Sequence, residues 1–414
     1  MSEATVDDIF NQMVDEFKAN KNKPKIIEMM TAYCSKETTT PQQIYDLKKM
    51  LEVDFSKKVG CKYCYAKTPV DYGCDLREIF YDRNNTLIQG GQALLDIFNT
   101  KKLPDMWHIM TDIDDTLYPN LEHGTYIAGS DSSWKQKTPY PGIRLFYNLF
   151  YQHLPVNSRY TTILSATPGC FKNDKLVDEN GLLHNILQSY GFIQGIEGKG
   201  EILSHVTTMA SNCIGQYCDR IQEKIPFIKQ AKSSVPSMLG LSHMPTNVQS
   251  ELSDLFKLFG NTKFDRFKQY VSIFPEYKIL FIGDNGQGDV LAGKKMLEFT
   301  DRCHVFIHKV SEDGVNFKTV PEESLNIPRL NFFKNYYDVA LKFKELDIFN
   351  LGETAEVKNE IVQQLKLEDN SKFANLYSIR GGKSSRKTIK KVRKNRSTRK
   401  IRKYKSKSTK KYRK

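Results

Sequence analysis

The sequence contains no run of apolar residues long enough to cross a membrane as a helix, which takes roughly 18 to 20 of them. It also lacks a basic segment followed by an apolar core at its start, where MSEATVDDIF is acidic. Its 8 cysteines are scattered through 414 residues, which favours reduced thiols over a disulfide framework. We therefore expect an intracellular, non-secreted protein without a transmembrane segment.

Acidic residues are missing from the C-terminal tail, Arg380 to Lys414, which holds 19 Lys and Arg. The formal net charge of +14 belongs to this tail, because residues 1–379 carry 43 basic side chains against 48 acidic ones. The tail has too little apolar surface to offset the entropy cost of ordering it, so we predict that 380–414 is disordered when free. Its charge suits an anionic membrane surface or nucleic acid, and composition does not choose between them.

Three zones precede the tail. Residues 1–105 show mostly helical periodicity and contain no catalytic constellation, so we predict a helical N-terminal region. In residues 106–350 short apolar strands alternate with amphipathic helices, a pattern typical of a parallel α/β sheet. A last helix and a linker are predicted in 351–379. Chemistry is therefore expected in the middle zone.

Four segments of the middle zone are short, apolar and rich in β-branched or aromatic residues, as strands are. These predicted strands are MWHIMTDI, TTILS, YKILFIGD and CHVFIHKV. Asp112, Ser165 and Asp284 lie near the ends of the first three. In open parallel sheets ligands bind outside the carboxyl ends of the strands, so these three segments should converge on one crevice.

Asp112 and Asp114 are two carboxylates that follow a predicted strand. Such a pair can divide labour, with one carboxylate held against a metal as nucleophile and the other free to give and take a proton. Alone, the pattern also fits a solvated acidic turn. The glycine-rich turn Gly283 to Asp289 adds Asp284 and Asp289, and carboxylate oxygens are ligands that Mg²⁺ prefers.

Together these motifs resemble those of the haloacid dehalogenase superfamily, in which an aspartate pair, a serine-ended strand, a lysine and a glycine-aspartate turn follow in this order. Within that superfamily, the chain is similar to the catalytic domain of the actin-patch phosphatidate phosphatase family. The matching segments are DIDDT from Asp112, TPYPG from Thr138, SATP from Ser165, Lys263 before Pro275, and IGDNGQGD from Ile282.

The resemblance implies a parallel Rossmann-like sheet of the haloacid dehalogenase type and a Mg²⁺-dependent phosphomonoester hydrolase. Phosphatidate is the expected substrate, with diacylglycerol and phosphate as products. Asp112 would form an aspartyl-phosphate while Asp114 protonates the leaving group and then activates water. The metal would be held by Asp112, Asp284 and the backbone carbonyl of Asp114, and Asp289 would orient a metal-bound water or serve as an outer metal ligand.

Further roles follow from the same resemblance. Ser165 would donate a hydrogen bond to a phosphoryl oxygen, and Thr116 and Thr167 would also bind substrate. Lys263 would add its charge to the positive end of a helix that begins close to it.

Two departures from the family affect the choice of substrate. The serine motif reads SATPG rather than SNSPW, which removes an amide and an aromatic side chain beside Ser165. The chain also carries extra sequence near 198–260, between Ser165 and Lys263. This insertion could form a cap over the site or a surface elaboration.

Other functional classes remain open at this point. The chain could be a phosphatase that acts on nucleic-acid ends or phosphoproteins, or a catalytically silent polyanion-binding protein on the same scaffold. Its basic tail resembles those of proteins from large DNA viruses. Cytoplasmic, peripheral membrane and virion locations are therefore not distinguished.

Cys61 and Cys64, with Cys74 and Cys34 nearby in sequence, could hold a structural zinc ion. A zinc site usually pairs two such knuckles and the second is missing, so free thiols are favoured. His108 and His153 are interpreted as fold or surface residues.

Overall fold

A computed structural model of the protein describes residues 4–59, 76–82, 85–119, 121, 129–136, 138–155, 158–159, 161–164, 246–367 and 376–377. Within these ranges the chain builds an α/β fold around a five-stranded parallel sheet. The strands are β1 (Met106–Thr111), β2 (Thr162–Ile163), β3 (Tyr277–Asp284), β4 (Cys303–His308) and β5 (Leu330–Phe333). Their spatial order is β2-β1-β3-β4-β5, and every neighbouring pair is parallel.

Helices lie before, between and after these strands in the chain. In chain order they are α1 (Val6–Asn20), α2 (Lys23–Cys34), α3 (Pro41–Val53), α4 (Phe55–Lys58), α5 (Leu76–Phe80), α6 (Gly91–Thr100), α7 (Ile143–Gln152), α8 (Thr246–Ile273), α9 (Asp289–Phe299), α10 (Glu322–Leu325), α11 (Tyr336–Glu345) and α12 (Leu351–Leu367).

The central strands are apolar along nearly their whole length because helices cover both faces of the sheet. On one face, Phe267 of α8 and Met296 of α9 share a hydrophobic core with Phe281 of β3. On the other face, the ring of Phe343 on α11 lies 4.9 Å from that of Phe146 on α7. Because both faces of the sheet are covered, a ligand can approach it only at the loops that follow the ends of the strands.

Three of the predicted strands, those that form β1, β3 and β4, begin at the predicted residues. The second is shorter than predicted and covers only Thr162–Ile163. The fifth strand, Leu330–Phe333, was not predicted, since four residues of LNFF give too short a pattern to distinguish it from a loop.

The helical N-terminal region packs against the α8 side of the sheet. Its first and third helices begin with capping boxes at Thr5 and Thr40, in which side chains satisfy the free amides of the first turn. The buried Lys48 of α3 donates hydrogen bonds to Glu276, the residue before β3, at 2.7 and 2.9 Å. The described residues up to Tyr377 belong to one compact unit.

At the C-terminal end, α12 is followed by Leu376 and Tyr377, both of which are buried. Positions 378–414, which include the predicted tail, lie outside the described residues, as do Cys61, Cys64, Cys74 and the predicted insertion up to position 245. None of the described helices is long and apolar enough to cross a membrane.

Candidate metal centre

Asp112 and Asp284 lie side by side at the carboxyl ends of two adjacent strands. Asp112 follows β1 directly, and its backbone N–H donates to the carbonyl of Ile282 on β3 at 2.9 Å. Asp284 is the last residue of β3. The strand order changes direction between β1 and β3, which is where open parallel sheets form their ligand crevice.

Asp289 reaches the same point from the first turn of α9. Its Oδ2 accepts a hydrogen bond from the backbone N–H of Asp284 at 3.1 Å. Gly283 makes this approach possible, because a Cβ at that position would lie 2.7 Å from the Cβ of Asp289. The left-handed Gly288, with φ of 109°, turns the chain from the loop into α9.

One oxygen from each of these three buried carboxylates lies within 4.8 Å of the others, a spacing at which they could hold a metal ion. The ammonium of Lys263 is the compensating charge, 3.1 Å from Oδ2 of Asp112 and in direct contact with Asp289. Three carboxylates and one ammonium leave an excess of negative charge when all are ionised. The donor set therefore fits a hard divalent cation.

Burial sets the ionisation behaviour of the cluster. Burial raises the pKa of Asp112 to about 7. The charge of Lys263 opposes this rise, and the charges of Asp289 and Asp114 add to it. Burial likewise raises the pKa of Asp284 well above its ordinary value. For Lys263 burial lowers the pKa, but attraction by the surrounding carboxylates is stronger in sum, so the net shift is upward. Within the described part of the chain, the charge of Lys263 thus does not fully offset that of the three buried carboxylates.

Lys263 lies in the middle of α8 and not near its start. The expectation that a helix begins close to Lys263 was wrong, because α8 begins at Thr246. The positive end of the helix dipole acts only over the first turn, so it adds nothing at this ammonium. Lys263 contributes its own charge alone.

Asp114 and Thr116 occupy the turn after β1. The side chain of Asp114 is partly exposed, and among the described residues it lies outside the cluster of buried carboxylates. Thr116 is fully buried, and its carbonyl accepts a hydrogen bond from the Tyr336 hydroxyl at 3.0 Å. Ser165 and Thr167 lie outside the described residues.

Another buried carboxylate, that of Asp131, organises the loops around the site. Its Oδ1 accepts from the backbone N–H of Ser311 at 2.6 Å, and its Oδ2 accepts from the hydroxyls of Ser133 at 2.5 Å and Tyr140 at 2.7 Å. The Ser133 hydroxyl also bonds Tyr377 at 2.7 Å. Sequence reasoning missed Asp131, since the polar run SDSS carries no strand or helix signal.

The two histidines have the structural roles expected of them. His108 is buried and stacks on Tyr277 with ring centroids 4.3 Å apart. His153 bonds Glu353 of α12 at 2.7 Å, away from the carboxylate cluster. Cys34 and Cys303 are free and buried.

Comparison of the chain with protein-family models, curated proteins and solved structures gives no significant match.

Proposed function

We propose that this protein is a Mg²⁺-dependent phosphomonoester hydrolase of the haloacid dehalogenase type, with phosphatidate as substrate. The observation that carries the proposal is the buried cluster of Asp112, Asp284 and Asp289 around Lys263. The partly exposed Asp114, two residues after Asp112, supplies a second carboxylate that water can reach. One carboxylate is thus suited to attack and the other to proton transfer.

In the first half of the reaction, an oxygen of Asp112 attacks phosphorus while the bond from phosphorus to the ester oxygen breaks. Asp114 gives its proton to the departing alkoxide, so diacylglycerol leaves as a neutral alcohol and Asp112 carries the phosphoryl group. In the second half, Asp114 accepts a proton from a water that attacks phosphorus. Inorganic phosphate leaves and the Asp112 carboxylate is restored.

Mg²⁺ held by Asp112, Asp284 and Asp289 would offset the negative charge of the phosphoryl oxygens and favour the ionised form of Asp112. Lys263 keeps Asp112 and Asp289 in place through its two ion pairs and adds a positive charge to the pocket.

A direct assay tests the activity. Full-length protein should hydrolyse p-nitrophenyl phosphate in Mg²⁺ and stop in excess EDTA. With Mg²⁺ present, the catalytic efficiency should then be compared on phosphatidate in mixed micelles, a terminally phosphorylated oligonucleotide and a phosphopeptide.

We expect phosphatidate to give the highest kcat/KM. A preference for the oligonucleotide or the phosphopeptide would overturn the lipid assignment and leave the Asp112 chemistry intact. No hydrolysis of any substrate would instead favour a polyanion-binding protein on the same scaffold.

A further inference from the structure

Two lysines stand next to the carboxylate cluster on the same edge of the sheet. Asp284 pairs in register with His308 of β4, and His308 pairs with Phe333 of β5. Lys309 and Lys334 are the next residues along these two strands, and the backbone N–H of Lys309 donates to the Phe333 carbonyl at 2.9 Å. Adjacent strands are about 4.8 Å apart. The backbone of Lys309 therefore lies one strand away from Asp284, and that of Lys334 lies two strands away.

The positive charges of this lysine pair are not neutralised by salt bridges within the described part of the chain. Lys334 is exposed and places its ammonium over the Phe317 ring, 5.5 Å from the centroid. Burial and, to a smaller extent, the neighbouring charge of Lys334 lower the pKa of Lys309, and the carboxylate of Asp338 opposes that shift. Asp338 also accepts a hydrogen bond from the backbone N–H of Lys334 at 3.0 Å. Two like charges held together are a feature that an anionic partner would stabilise.

The loop 311–318, which lies between Lys309 and Lys334 in sequence, carries an exposed apolar side chain at its tip. Val315 is 67% exposed. The acidic side chains of the loop are already engaged: Asp313 accepts from the backbone N–H groups of Val315 at 2.8 Å and Asn316 at 2.7 Å. Glu312 bonds Lys318 at 3.2 Å. The loop therefore presents an exposed aliphatic side chain two residues from Phe317, whose ring lies under the Lys334 ammonium.

The attachment point of the basic tail lies against the same loops. Tyr377 bonds Ser133 at 2.7 Å, and the neighbouring Ser132 donates to the Ser311 carbonyl at 3.1 Å. Arg380, the first of the 19 basic residues of the tail, follows Tyr377 closely in sequence. The basic tail thus follows, in sequence, a residue that is bonded to these loops.

We infer that Lys309, Lys334 and the Val315 tip form a docking surface for an anionic lipid bilayer. The inference deepens the proposed function by naming how a membrane-embedded phosphoester reaches Asp112. Lysines bind the charged headgroups, and Val315 enters the apolar layer beneath them. A nucleic acid would satisfy the lysines but offers no comparable layer for the valine.

Vesicle co-sedimentation of the full-length protein in EDTA tests this without any need for catalysis. Vesicles of phosphatidylcholine alone are compared with vesicles that also contain phosphatidylserine. Replacing both Lys309→Gln and Lys334→Gln should weaken binding to anionic vesicles by about 30-fold, since each basic residue near such a surface contributes about 1 kcal/mol. Val315→Asn should weaken it by about fivefold, with little dependence on salt.

Lys278→Gln is the matched control, because Lys278 lies at the opposite edge of the sheet, 3.6 Å from Asp105. It should bind vesicles like wild type. A loss as large as that of the lysine pair, or wild-type binding by the double variant, would overturn the docking surface. So would a DNA duplex that displaces the vesicles while Val315→Asn has no effect.

The two proposals fail separately. Charge-dependent vesicle binding without hydrolysis of phosphatidate would reject the enzymatic proposal alone. Hydrolysis of phosphatidate with equal binding to neutral and anionic vesicles would reject the docking surface alone.

Discussion

Buried charges occur at both edges of the sheet, and their balance differs. At the amino edge, Lys48 bonds Glu276 at 2.7 Å and the Ile273 carbonyl at 3.0 Å, and Lys49 pairs with Glu52 beside them. At the carboxyl edge, the described residues place three aspartates around one ammonium, that of Lys263. One cluster is matched charge for charge, whereas the other has an excess of negative charge.

This difference separates a structural from a functional use of buried charge. Burial lowers the pKa of Lys48, and the charge of Glu276 opposes that shift, so the pair is complete within the protein. Asp112 and Asp284 at the other edge have raised pKa values despite Lys263, so an added cation would stabilise their ionised form. Four predictions test this contrast.

The largest expected effect is on catalysis. Asp112→Asn should lower turnover of p-nitrophenyl phosphate by about 10⁴-fold or more, because an amide is neither a nucleophile nor an anionic ligand. Asp114→Asn should cost about 10²-fold to 10⁴-fold, as expected for loss of a general acid and base. Steady-state kinetics at saturating Mg²⁺ measure both. Equal rates for Asp112→Asn and wild type would refute the mechanism.

The ion pair of Lys48 and Glu276 should contribute to the free energy of unfolding. Lys48→Met leaves Glu276 buried without its partner, so the free energy of unfolding should fall by about 3 to 5 kcal/mol. Adding Glu276→Met should recover most of that loss, since two apolar side chains need no compensation. Urea denaturation monitored by circular dichroism provides the values. If the double variant were less stable than the single one, the pair would not be a self-contained unit.

Metal binding should raise the free energy of unfolding through the cluster of Asp112, Asp284 and Asp289, and not through the Lys48–Glu276 pair. Mg²⁺ at about 100 times its dissociation constant should raise the free energy of unfolding by about 2.7 kcal/mol. Asp284→Asn should remove this gain, and the Lys48→Met variant should keep it. Thermal unfolding with and without Mg²⁺ distinguishes them, and an equal gain in Asp284→Asn would place the metal elsewhere.

The smallest effect concerns pH in the absence of metal. The pKa of Asp112 is raised to about 7 in the folded protein from an ordinary value of 3.8, so the folded state binds the proton more tightly than the unfolded state does. The resulting stability is present at low pH and is lost as pH rises towards about 7. We expect a loss of about 1 to 2 kcal/mol in EDTA between about pH 5 and pH 8, because the cluster shares its protons.

Asp112→Asn should reduce this pH dependence and leave the part that belongs to Asp284, whose pKa is also raised. Saturating Mg²⁺ should reduce it in the wild type. A profile that stays unchanged in Asp112→Asn would assign the titration to another group.

Local sequence was sufficient to predict much of the sheet. The runs that became β1, β3 and β4 are apolar, β-branched and bounded by turn residues, so their starts were predictable. The convergence of Asp112 and Asp284 followed from one rule, that parallel strands end at a common edge. The position of Lys263 within its helix did not follow, because α8 begins well before the segment whose pattern suggested a start.

Sequence by itself determined which residues carry carboxylates, where β1, β3 and β4 begin and that the basic charge belongs to the last residues of the chain. The tertiary structure alone decided that Asp289 and Lys263 meet Asp112, that Asp131 joins the surrounding loops to Tyr377, and that Lys48 finds Glu276. The physical reason is that strand and helix signals depend on neighbours along the chain. The balance of a buried charge depends on partners distant in sequence, which only packing brings together.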